Sequence, residues 1–446
     1  MQQANTGHSR PFTKKQEDIF ATDAGHPSRL PEDTLREYAH IVGRFGIAEK
    51  LEPVYRDPCD LLHIYVARLR TDLGKKDGGK NVLQAPCVGK GMTDAQARAS
   101  ALGEMVERYS AIFRGEETRI KASYRGLRTN AIHPNACMNF SASQYRERER
   151  WNQNEAKYNW VPAPFDENRE IEWTPVWSLT EERFKYVATA LCYFGYPFSP
   201  EHDFCRPDSN GNAAGNSLQE ATLHGFLELV ERDCAALWWY NEARRPQVEL
   251  ESFGETYFLA IAELYRILKR RIKVFDISSD FPIPAFAATS TDDSGEAGLL
   301  LGFGAHLEPR IAIAKAITEM NQSLVQSVCG EDPRFFVSGT LEGEFLSSLS
   351  TLPQKRCDEY QRHDNYDLLR DLRTCVDLAR KRGLQVLVLD QTRADVGMPA
   401  TKVLVPGMRS WWARFAPGRL YDVPVQLGWL REPLCEEQLN PCHLIV

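Results

Sequence analysis

Apolar residues recur at helical spacing in several long segments of the chain. Three long patterns follow Thr93, Asn216 and Pro309, a shorter one begins after Pro31, and another ends near Gly383. Apolar positions three and four residues apart share one face of an α-helix, so each pattern predicts an amphipathic helix. Thr93 and Asn216 are residue types that favour the N-cap position, and we expect each to begin its helix.

Shorter runs rich in β-branched and aromatic residues predict strands between the helices. These runs cover residues 61–69, 82–88, 272–275, 285–289, 299–302, 386–389 and 403–405. We also expect a turn at 74–79, a loop at Gly89-Lys90-Gly91 and a variable insert at about 330–365. Residues 120–200 combine many aromatics with Pro and Gly, which indicates strands and long loops that pack into the core. The order of elements predicts an α+β or a mixed α/β architecture, with mixed β-sheets covered by the three long helices.

Composition places the chain among ordinary globular proteins. It has 446 residues, of which 43% are hydrophobic and 26% are charged, and its net charge is −7. A mildly acidic chain has no general attraction for nucleic acids or anionic membranes. No apolar run reaches the roughly 18 residues of a transmembrane helix, and the polar N-terminus does not resemble a secretory signal. We therefore expect no nucleic-acid partner and no membrane partner.

The cysteines indicate a reducing compartment. There are 11 of them, an odd number, scattered without any C-x-x-C pair. This pattern argues against a secreted disulfide framework and against zinc-ribbon spacing, so we expect a cytoplasmic protein. Cys435, Cys442 and His443 form a loose group near the C-terminus, for which packing is a better interpretation than metal binding.

The chemical signal lies on the polar faces of the three long helices. At about 100° per residue, the charged side chains of each helix fall opposite its apolar residues. These faces carry Ser100, Glu104, Glu107 and Arg108 in the first helix, Glu220, His224, Glu228, Glu231 and Arg232 in the second, and Lys315, Glu319 and Gln322 in the third. The pattern E-x-V-E-R occurs at 104–108 and again at 228–232, which is 124 residues later.

Two interpretations of these faces remain open. Taken alone, each helix could present a solvated acidic surface. If the faces instead converge in one cleft, the carboxylates would repel one another and require divalent cations. All-oxygen ligands favour Mg²⁺, which also binds substrate phosphates, and Lys90, Arg108, Arg232 and Lys315 would contact those phosphates. This would be a nucleotide–Mg²⁺ site without a Walker loop, since no G-x-x-x-x-G-K-[ST] sequence occurs.

The segments around these three helices resemble the YcaO-domain family. The matching stretches are GKGMTDAQARASALGEMVER at 89–108, NGNAAGNSLQEATLHGFLELVERD at 210–233 and HLEPRIAIAKAITEMNQ at 306–322. Near the C-terminus, VLVPGMR at 403–409 and RFAPGRLYDVPV at 414–425 are similar to the cyclodehydratase branch of that family. The resemblance extends over roughly residues 60–446 and implies a YcaO-type fold, with an ATP and Mg²⁺ site between the sheets and helices.

The resemblance also implies a reaction and a set of site residues. Family members use ATP to activate backbone amides of a ribosomal precursor peptide, so that Cys, Ser or Thr side chains cyclise to thiazolines or oxazolines in antibiotic and bacteriocin biosynthesis. The expected nucleotide contacts are Lys90, Ser100, Glu104, Glu107, Arg108, Asn216, Glu220, Arg232 and Lys315. The expected Mg²⁺ ligands are Glu104, Glu107, Glu228, Glu231 and Glu319.

Two departures from the family pattern affect these expectations. Lys315 stands where the family usually has Arg, which keeps the charge but loses the bidentate fork. The chain ends in NPCHLIV instead of a Pro-x-Pro-x-Pro tail. Because these last residues are mostly apolar, we expect the tail to run inward, where His443 or the carboxylate of Val446 could move protons catalytically. Plain packing is the alternative for the tail. His224 is a further candidate base, for which a buried structural histidine is the favoured alternative.

Residues 1–59 are interpreted as an N-terminal extension that could dock a partner, and residues 60–446 as the YcaO domain with its Pro-containing tail. The space before residue 60 is too short for the E1-like, leader-peptide-binding domain that some family members carry. The resemblance therefore implies a separate E1-like partner and a flavin-dependent azoline dehydrogenase, in a hetero-complex or a homo-oligomer. Alternative functions are peptide thioamide formation, a non-catalytic scaffold subunit, and a ligase of the glutamine-synthetase type.

Overall fold

The computed structural model describes residues 29–43, 46–55, 57–70, 86–154, 159–197, 203–292, 299–328, 352–363, 365 and 367–444. The α-helices are α1 (Pro31–Glu37), α2 (Asp94–Ser110), α3 (Tyr124–Leu127), α4 (Pro134–Met138), α5 (Ala142–Arg146), α6 (Arg148–Asn154), α7 (Thr189–Cys192), α8 (Leu218–Tyr240), α9 (Thr256–Ile267), α10 (Pro309–Val328), α11 (Leu368–Lys381) and α12 (Arg419–Gln426). The strands are β1 (Ala48–Pro53), β2 (His63–Leu69), β3 (Cys87–Gly91), β4 (Ile120–Ser123), β5 (Glu170–Ser178), β6 (Arg183–Ala188), β7 (Asn212–Ala214), β8 (Arg270–Asp276), β9 (Ala285–Asp292), β10 (Leu300–Ala305), β11 (Leu387–Asp390) and β12 (Ala400–Leu404).

The strands form three sheets. Two are three-stranded, in the orders β1-β2-β3 and β8-β9-β10. The third has six strands in the order β4-β5-β11-β12-β7, with β6 also paired to β5. Every pairing between these strands is antiparallel. The predicted α+β class, with β-sheets covered by helices, is therefore confirmed, and the sheets are antiparallel.

The two three-stranded sheets are the same structural unit in duplicate. In each, the last strand leads directly into a long helix that packs back on it, α2 on β3 and α10 on β10. A Cβ at Gly89 would lie 2.0 Å from the backbone nitrogen of Ala101, and one at Gly304 would lie 2.2 Å from the carbonyl oxygen of Ala312. These glycines allow helix and strand to approach closely, and their contacts lie 215 residues apart (89 and 304, 97 and 312, 101 and 316).

Helix α8 runs through the middle of the molecule. It contacts β7, β9, β10, β12, α11 and α12, and it is buried on almost every face. A helix that is apolar nearly all round belongs in a core, and its last three residues, Trp238, Trp239 and Tyr240, are fully buried there. The few charged residues of α8 therefore lie in the protein interior.

The structure corrects two predicted element boundaries. Thr93 caps α2 as predicted, since its hydroxyl accepts a hydrogen bond from the backbone N–H of Gln96. The cap of α8 is Ser217 rather than Asn216, because the Ser217 hydroxyl accepts from the N–H of Glu220. The predicted loop at 89–91 is wrong, since β3 covers residues 87–91. Residues 87 and 88 of the predicted strand 82–88 lie in β3, and residues 82–85 lie outside the described part of the chain.

The N-terminal segment from residue 29 onwards is part of the fold. Helix α1 packs on α2, and Tyr38 and Ile41 belong to the same buried cluster as Leu102 and Met105. Strand β1 pairs with β2, so the predicted boundary at residue 59/60 falls between the two strands of a β-hairpin. Residues 1–28, the predicted turn at 74–79 and most of the insert at 330–365 lie outside the described residues.

Two further expectations can be compared with the described residues. None of the helices placed there combines the length and apolar character that crossing a bilayer requires. The ten cysteines described are all free thiols.

Any side chain at Gly89 would place its Cβ closer to the backbone of α2 than van der Waals contact allows. We expect Gly89→Ala to destabilise the fold by about 1–3 kcal/mol, because the added methyl group overpacks the junction of β3 and α2. Gly103→Ala is the matched control in the same unit, since a Cβ there meets nothing within 4 Å. That substitution should stabilise α2 by about 0.5–1 kcal/mol. Urea denaturation measures both, and equal stabilities of the two variants would contradict this packing argument.

Candidate active site

The site is built where the two duplicated units face α8. In the first unit, the backbone N–H of Val88 on β3 donates to Glu104 on α2, with a distance of 2.9 Å. In the second unit, the N–H of Phe303 on β10 donates to Glu319 on α10, at 3.4 Å. The pairs 88 and 303, and 104 and 319, are again 215 residues apart. The two carboxylates therefore hold equivalent places in the duplicated units.

Glu231 connects α8 to the second unit. Its Oε2 accepts a hydrogen bond from the N–H of Ala305 at 3.1 Å and lies 3.9 Å from Nζ of Lys315. Its other carboxylate oxygen pairs with the guanidinium of Arg232. Only 4% of the Glu231 side chain is exposed, so a charge is buried here with partners on three sides.

Cations from neighbouring elements pair with the remaining acids. Arg108 pairs with Glu104 within α2, and Arg232 lies 2.9 Å from Glu228 within α8. Lys90 on β3 pairs with Glu319 on α10, which makes a direct link between the two duplicated units. The structure thus brings the polar faces of all three long helices into one cleft. The interpretation of three separate solvated helix faces is wrong.

The carboxylate of Glu107 on α2 lies within electrostatic range of carboxylates on α2 and α8. Burial, followed by the nearby carboxylates of Glu228 and Glu104, raises the pKa of Glu107 well above its usual value. Burial also raises the pKa of Glu104 and of Glu228, although arginine neighbours oppose it. For Glu319, burial is outweighed by Lys90 and Arg232, so its pKa is lowered. Glu107 and Glu228 are therefore the pair that most needs an added cation.

The residues present fit a Mg²⁺ ion that is coordinated jointly by protein carboxylates and by substrate phosphates. The described residues contain no ready group of three His, Cys, Asp or Glu side chains around one point. Mg²⁺ usually takes only one or two carboxylates and completes its shell with water and substrate phosphates. Glu107 and Glu228 offer such a pair, and a buried Nε of Arg232 has no hydrogen-bond partner in the described structure. Glu104, Glu231 and Glu319 remain predicted ligands.

The other predicted nucleotide contacts lie at the N-terminal ends of α2 and α8. Glu220 is buried and accepts a hydrogen bond from the backbone N–H of Asn216 at 2.8 Å. Ser100 is half-buried, one turn before Glu104. Glu220 and Glu231 are 11 residues apart on α8, which corresponds to about 16 Å along the helix. The polar cleft is therefore long enough to accommodate an extended nucleotide.

One neighbour of this cleft has no signal in the local sequence. The hydroxyl of Thr34 on α1 donates to Oδ1 of Asn216 at 2.9 Å. Thr34 is separated from Asn216 by 182 residues, and no local sequence pattern predicts a contact between them. The N-terminal segment thus supports a residue that the motif comparison assigns to the nucleotide.

His224 lies on the charged side of α8 but is not buried. Its Nδ1 is 3.3 Å from the carbonyl oxygen of Ala214, and its side chain is exposed. The expectation that it is a buried structural histidine is therefore wrong. It stands one helical turn before Glu228, and its role as a base stays a prediction.

The C-terminal tail packs at the far end of α8. The ring of His443 stacks on Trp151 with centroids 5.4 Å apart, and the carbonyl of Cys442 accepts from the indole of Trp239 at 2.6 Å. Trp239 is eight residues beyond Glu231, about 12 Å along the helix. Leu444 is fully buried, as the apolar tail predicted. The structure does not bring His443 to the carboxylates, Val446 lies outside the described residues, and a catalytic role for either stays a prediction.

Comparison with known proteins identifies this arrangement. Residues 88–409 match the sequence profile of the YcaO cyclodehydratase family, which is described as ATP- and Mg²⁺-binding. The chain belongs to the YcaO family. The match covers residues 88–91 of β3, all three long helices and the acids they carry, so the carboxylates and cations of the cleft lie within the YcaO region.

Two solved structures resemble this YcaO chain over nearly its whole length. A heterocyclase in complex with substrate and cofactor is 44% identical, with a TM-score of 0.87 over 97% of this chain. The heterocyclase TruD is 42% identical, with a TM-score of 0.76 over 96% of this chain. The matched regions are 61% and 57% of those two proteins, so this chain spans about three fifths of their length. An uncharacterised protein of Methanothermobacter thermautotrophicus is 28% identical over 410 residues, which is 86% of this chain and 95% of that protein.

The raised pKa of Glu107 has a consequence for stability without metal and nucleotide. A carboxyl whose pKa is higher in the folded than in the unfolded protein holds its proton longer when folded, so stability falls as pH rises between those two values. We expect Glu107→Gln, which removes this charge, to be more stable than the unchanged protein at neutral pH in EDTA.

Urea denaturation between pH 5 and pH 8 measures this effect. The midpoint of the unchanged protein should fall with pH more steeply than that of Glu107→Gln. Glu263→Gln, on the exposed face of α9, is the control and should keep the steeper slope. Parallel pH profiles of the unchanged protein and Glu107→Gln would refute the assignment.

Proposed function

We propose that this YcaO protein is an ATP-dependent cyclodehydratase that forms thiazoline or oxazoline rings in a ribosomal precursor peptide. The observation that carries the proposal is the single cleft in which acids from α2, α8 and α10 meet Lys90, Arg108, Arg232 and Lys315. Such a cleft suits phosphates held with Mg²⁺, and the two heterocyclases support the peptide reaction. The ten free thiols described fit the cytoplasm as its location.

The chemistry requires a better leaving group than hydroxide. The sulfur or oxygen of a Cys, Ser or Thr side chain gives up its proton to a base as it attacks the preceding backbone carbonyl carbon, and the former carbonyl oxygen takes the γ-phosphoryl group of ATP. Loss of that oxygen as inorganic phosphate, with departure of the amide proton, leaves the C=N bond of the ring. The products are ADP, phosphate and an azoline that has lost one water relative to the peptide.

The residues of the cleft would position phosphates and stabilise their charge. Bound Mg²⁺ would neutralise charge on the transferred phosphoryl group, as in other phosphoryl transfers. Arg232 is held by Glu228 and Glu231, and Lys315 is 43% exposed on the open side of the cleft, so both present fixed positive charge to a phosphate. Holding charge in a preorganised, partly dry cleft is the main source of catalysis in such reactions.

The alternatives can be weighed against the same residues. Peptide thioamide formation uses the same activation with an external sulfur nucleophile, and the similarity to heterocyclases favours cyclisation instead. A non-catalytic scaffold would not need the ion pairs of Lys90 with Glu319, Arg108 with Glu104 and Arg232 with Glu231. A glutamine-synthetase-type ligase is not favoured by any described feature of this fold.

We further propose that an E1-like protein presents the leader of the precursor peptide to this chain, and that a flavin-dependent dehydrogenase oxidises the azolines. The lengths of the two heterocyclases support a further component, since this chain covers only 61% and 57% of them. The proposed docking segment is the N-terminal extension, residues 1–59, whose helix α1 packs on α2.

Substitution of Glu231 tests the proposed activity. Glu231→Gln removes a buried charge that positions Arg232 and Lys315, so Mg²⁺-dependent ATP hydrolysis and ring formation should fall by about 100-fold or more. Ring formation is read by mass spectrometry as the loss of one water per ring. Circular dichroism should show an unchanged fold.

Glu263→Gln is the matched control, because it makes the same chemical change on an exposed helix face. It should retain full activity. Normal turnover by Glu231→Gln would show that the Glu231 carboxylate is not required for ATP hydrolysis or ring formation.

Dependence on a partner is tested by mixing experiments. The isolated chain should convert a precursor peptide at least about tenfold more slowly than the chain with an E1-like partner, because the leader would otherwise not be held near the cleft. The comparison uses precursor with and without its leader. Full-rate processing by the isolated chain, regardless of the leader, would refute the partner proposal.

A further inference from the structure

A cavity of about 390 Å³ adjoins the carboxylate cleft. It lies between β12 and the segment that follows it, and Arg108 of α2 and Leu229 of α8 form part of its wall. Arg108 also pairs with Glu104, and Leu229 immediately follows Glu228. The cavity therefore begins where the carboxylate cleft ends.

The walls of this cavity are largely aromatic and apolar. They include Met138, Phe140, Trp160, Leu404, Met408 and Trp412. The guanidinium of Arg206 lies 3.4 Å from the ring centroid of Trp160, and that of Arg414 lies 4.1 Å from the ring centroid of Phe140. Arginines stacked on rings leave a flat surface that suits a large apolar side chain.

Positive charge and buried donors complete the lining. Among the described lining residues, five are cationic (Arg108, Arg206, Lys402, Arg409 and Arg414), and Asp208 is the acidic one. Nδ2 of Asn210 and Nε of Arg409 are buried N–H groups with no hydrogen-bond partner in the described structure. A buried donor without an acceptor costs free energy, so two at one cavity indicate an acceptor that arrives with a ligand.

We propose that this cavity binds the substrate residue immediately before the cyclising Cys, Ser or Thr, and that backbone carbonyls beside it accept hydrogen bonds from Asn210 and Arg409. The inference rests on the proposed cyclodehydration, in which the carbonyl of that residue receives the phosphoryl group. With that carbonyl at the Arg108 edge, its side chain extends into the cavity. The aromatic walls favour a large apolar side chain, and the five cations exclude Lys and Arg.

Peptide series test the specificity directly. The probes are fluorescein-labelled octapeptides with one Cys, preceded by Phe, Leu, Ala or Lys. Phe and Leu peptides should bind at least about tenfold more tightly than the Lys peptide, and kcat/KM should follow the same order. Arg206→Glu, a change on the exposed rim, should reduce the discrimination against Lys several-fold. Equal binding of all four peptides would overturn the proposal.

Filling the cavity tests its location. Ser209 is exposed at the cavity wall, so Ser209→Trp should occlude it without disturbing the core. Fluorescence anisotropy should show peptide affinity lowered by about tenfold or more, while MgATP affinity stays within about twofold. Thr129→Trp, an exposed position that is not among the cavity-lining residues, is the control and should change neither. Weakened MgATP binding with unchanged peptide binding would overturn the proposal and make the cavity the site for the nucleotide base.

The two proposals can fail separately. Peptide binding is measured without ATP turnover. If Phe and Leu peptides bind more tightly than the Lys peptide, and Ser209→Trp abolishes that binding, the cavity assignment is supported even if no peptide is cyclised. Absence of ring formation from every peptide, with the E1-like partner present, would instead refute the cyclodehydratase activity. Absence of binding to all four octapeptides would overturn the cavity assignment.

Discussion

The ion pair between Lys90 and Glu319 joins the two halves of the site, and the rest of the cleft depends on charges held in this way. Lys90 comes from β3 and Glu319 from α10, so the pair crosses from one duplicated unit to the other. A buried carboxylate is tolerated only when cations or backbone N–H groups compensate it. Here the backbone N–H groups and Lys90 come from strands on which the helices pack, and Arg108 and Arg232 come from the helices themselves.

Close packing is what delivers those partners. Gly89 and Gly304 let α2 and α10 sit directly on β3 and β10, which brings the N–H groups of Val88 and Phe303 to the helix carboxylates. Side chains at either glycine would hold the helix away from the strand. The electrostatics of the cleft thus depends on the close approach of the helix and strand backbones at Gly89 and Gly304.

Local periodicity was sufficient to predict the three helices and their acidic faces, because amphipathic spacing is a property of each segment alone. It could not predict which segments of the chain are structurally equivalent. The E-x-V-E-R repeat related Glu104 to Glu228, whereas the strand-helix units relate Glu104 to Glu319, an equivalence that appears only once strands and helices are packed. Gly89 and Gly91 likewise looked like a loop, since glycine in sequence does not distinguish a turn from a close approach. Contacts such as Thr34 with Asn216 depend on the folded chain as a whole.

The duplication also has a consequence for how a molecule can enter the cleft. Two equivalent units would by themselves create a pocket with no preferred direction, but their cations do not match. Lys90 in the first unit corresponds to Ala305 in the second, and Ser100 corresponds to Lys315, at the same 215-residue separation that relates Gly89 to Gly304. The equivalence of the two units is broken at the positions that carry positive charge. A ligand that is charged at one end and neutral at the other can therefore be seated in only one orientation.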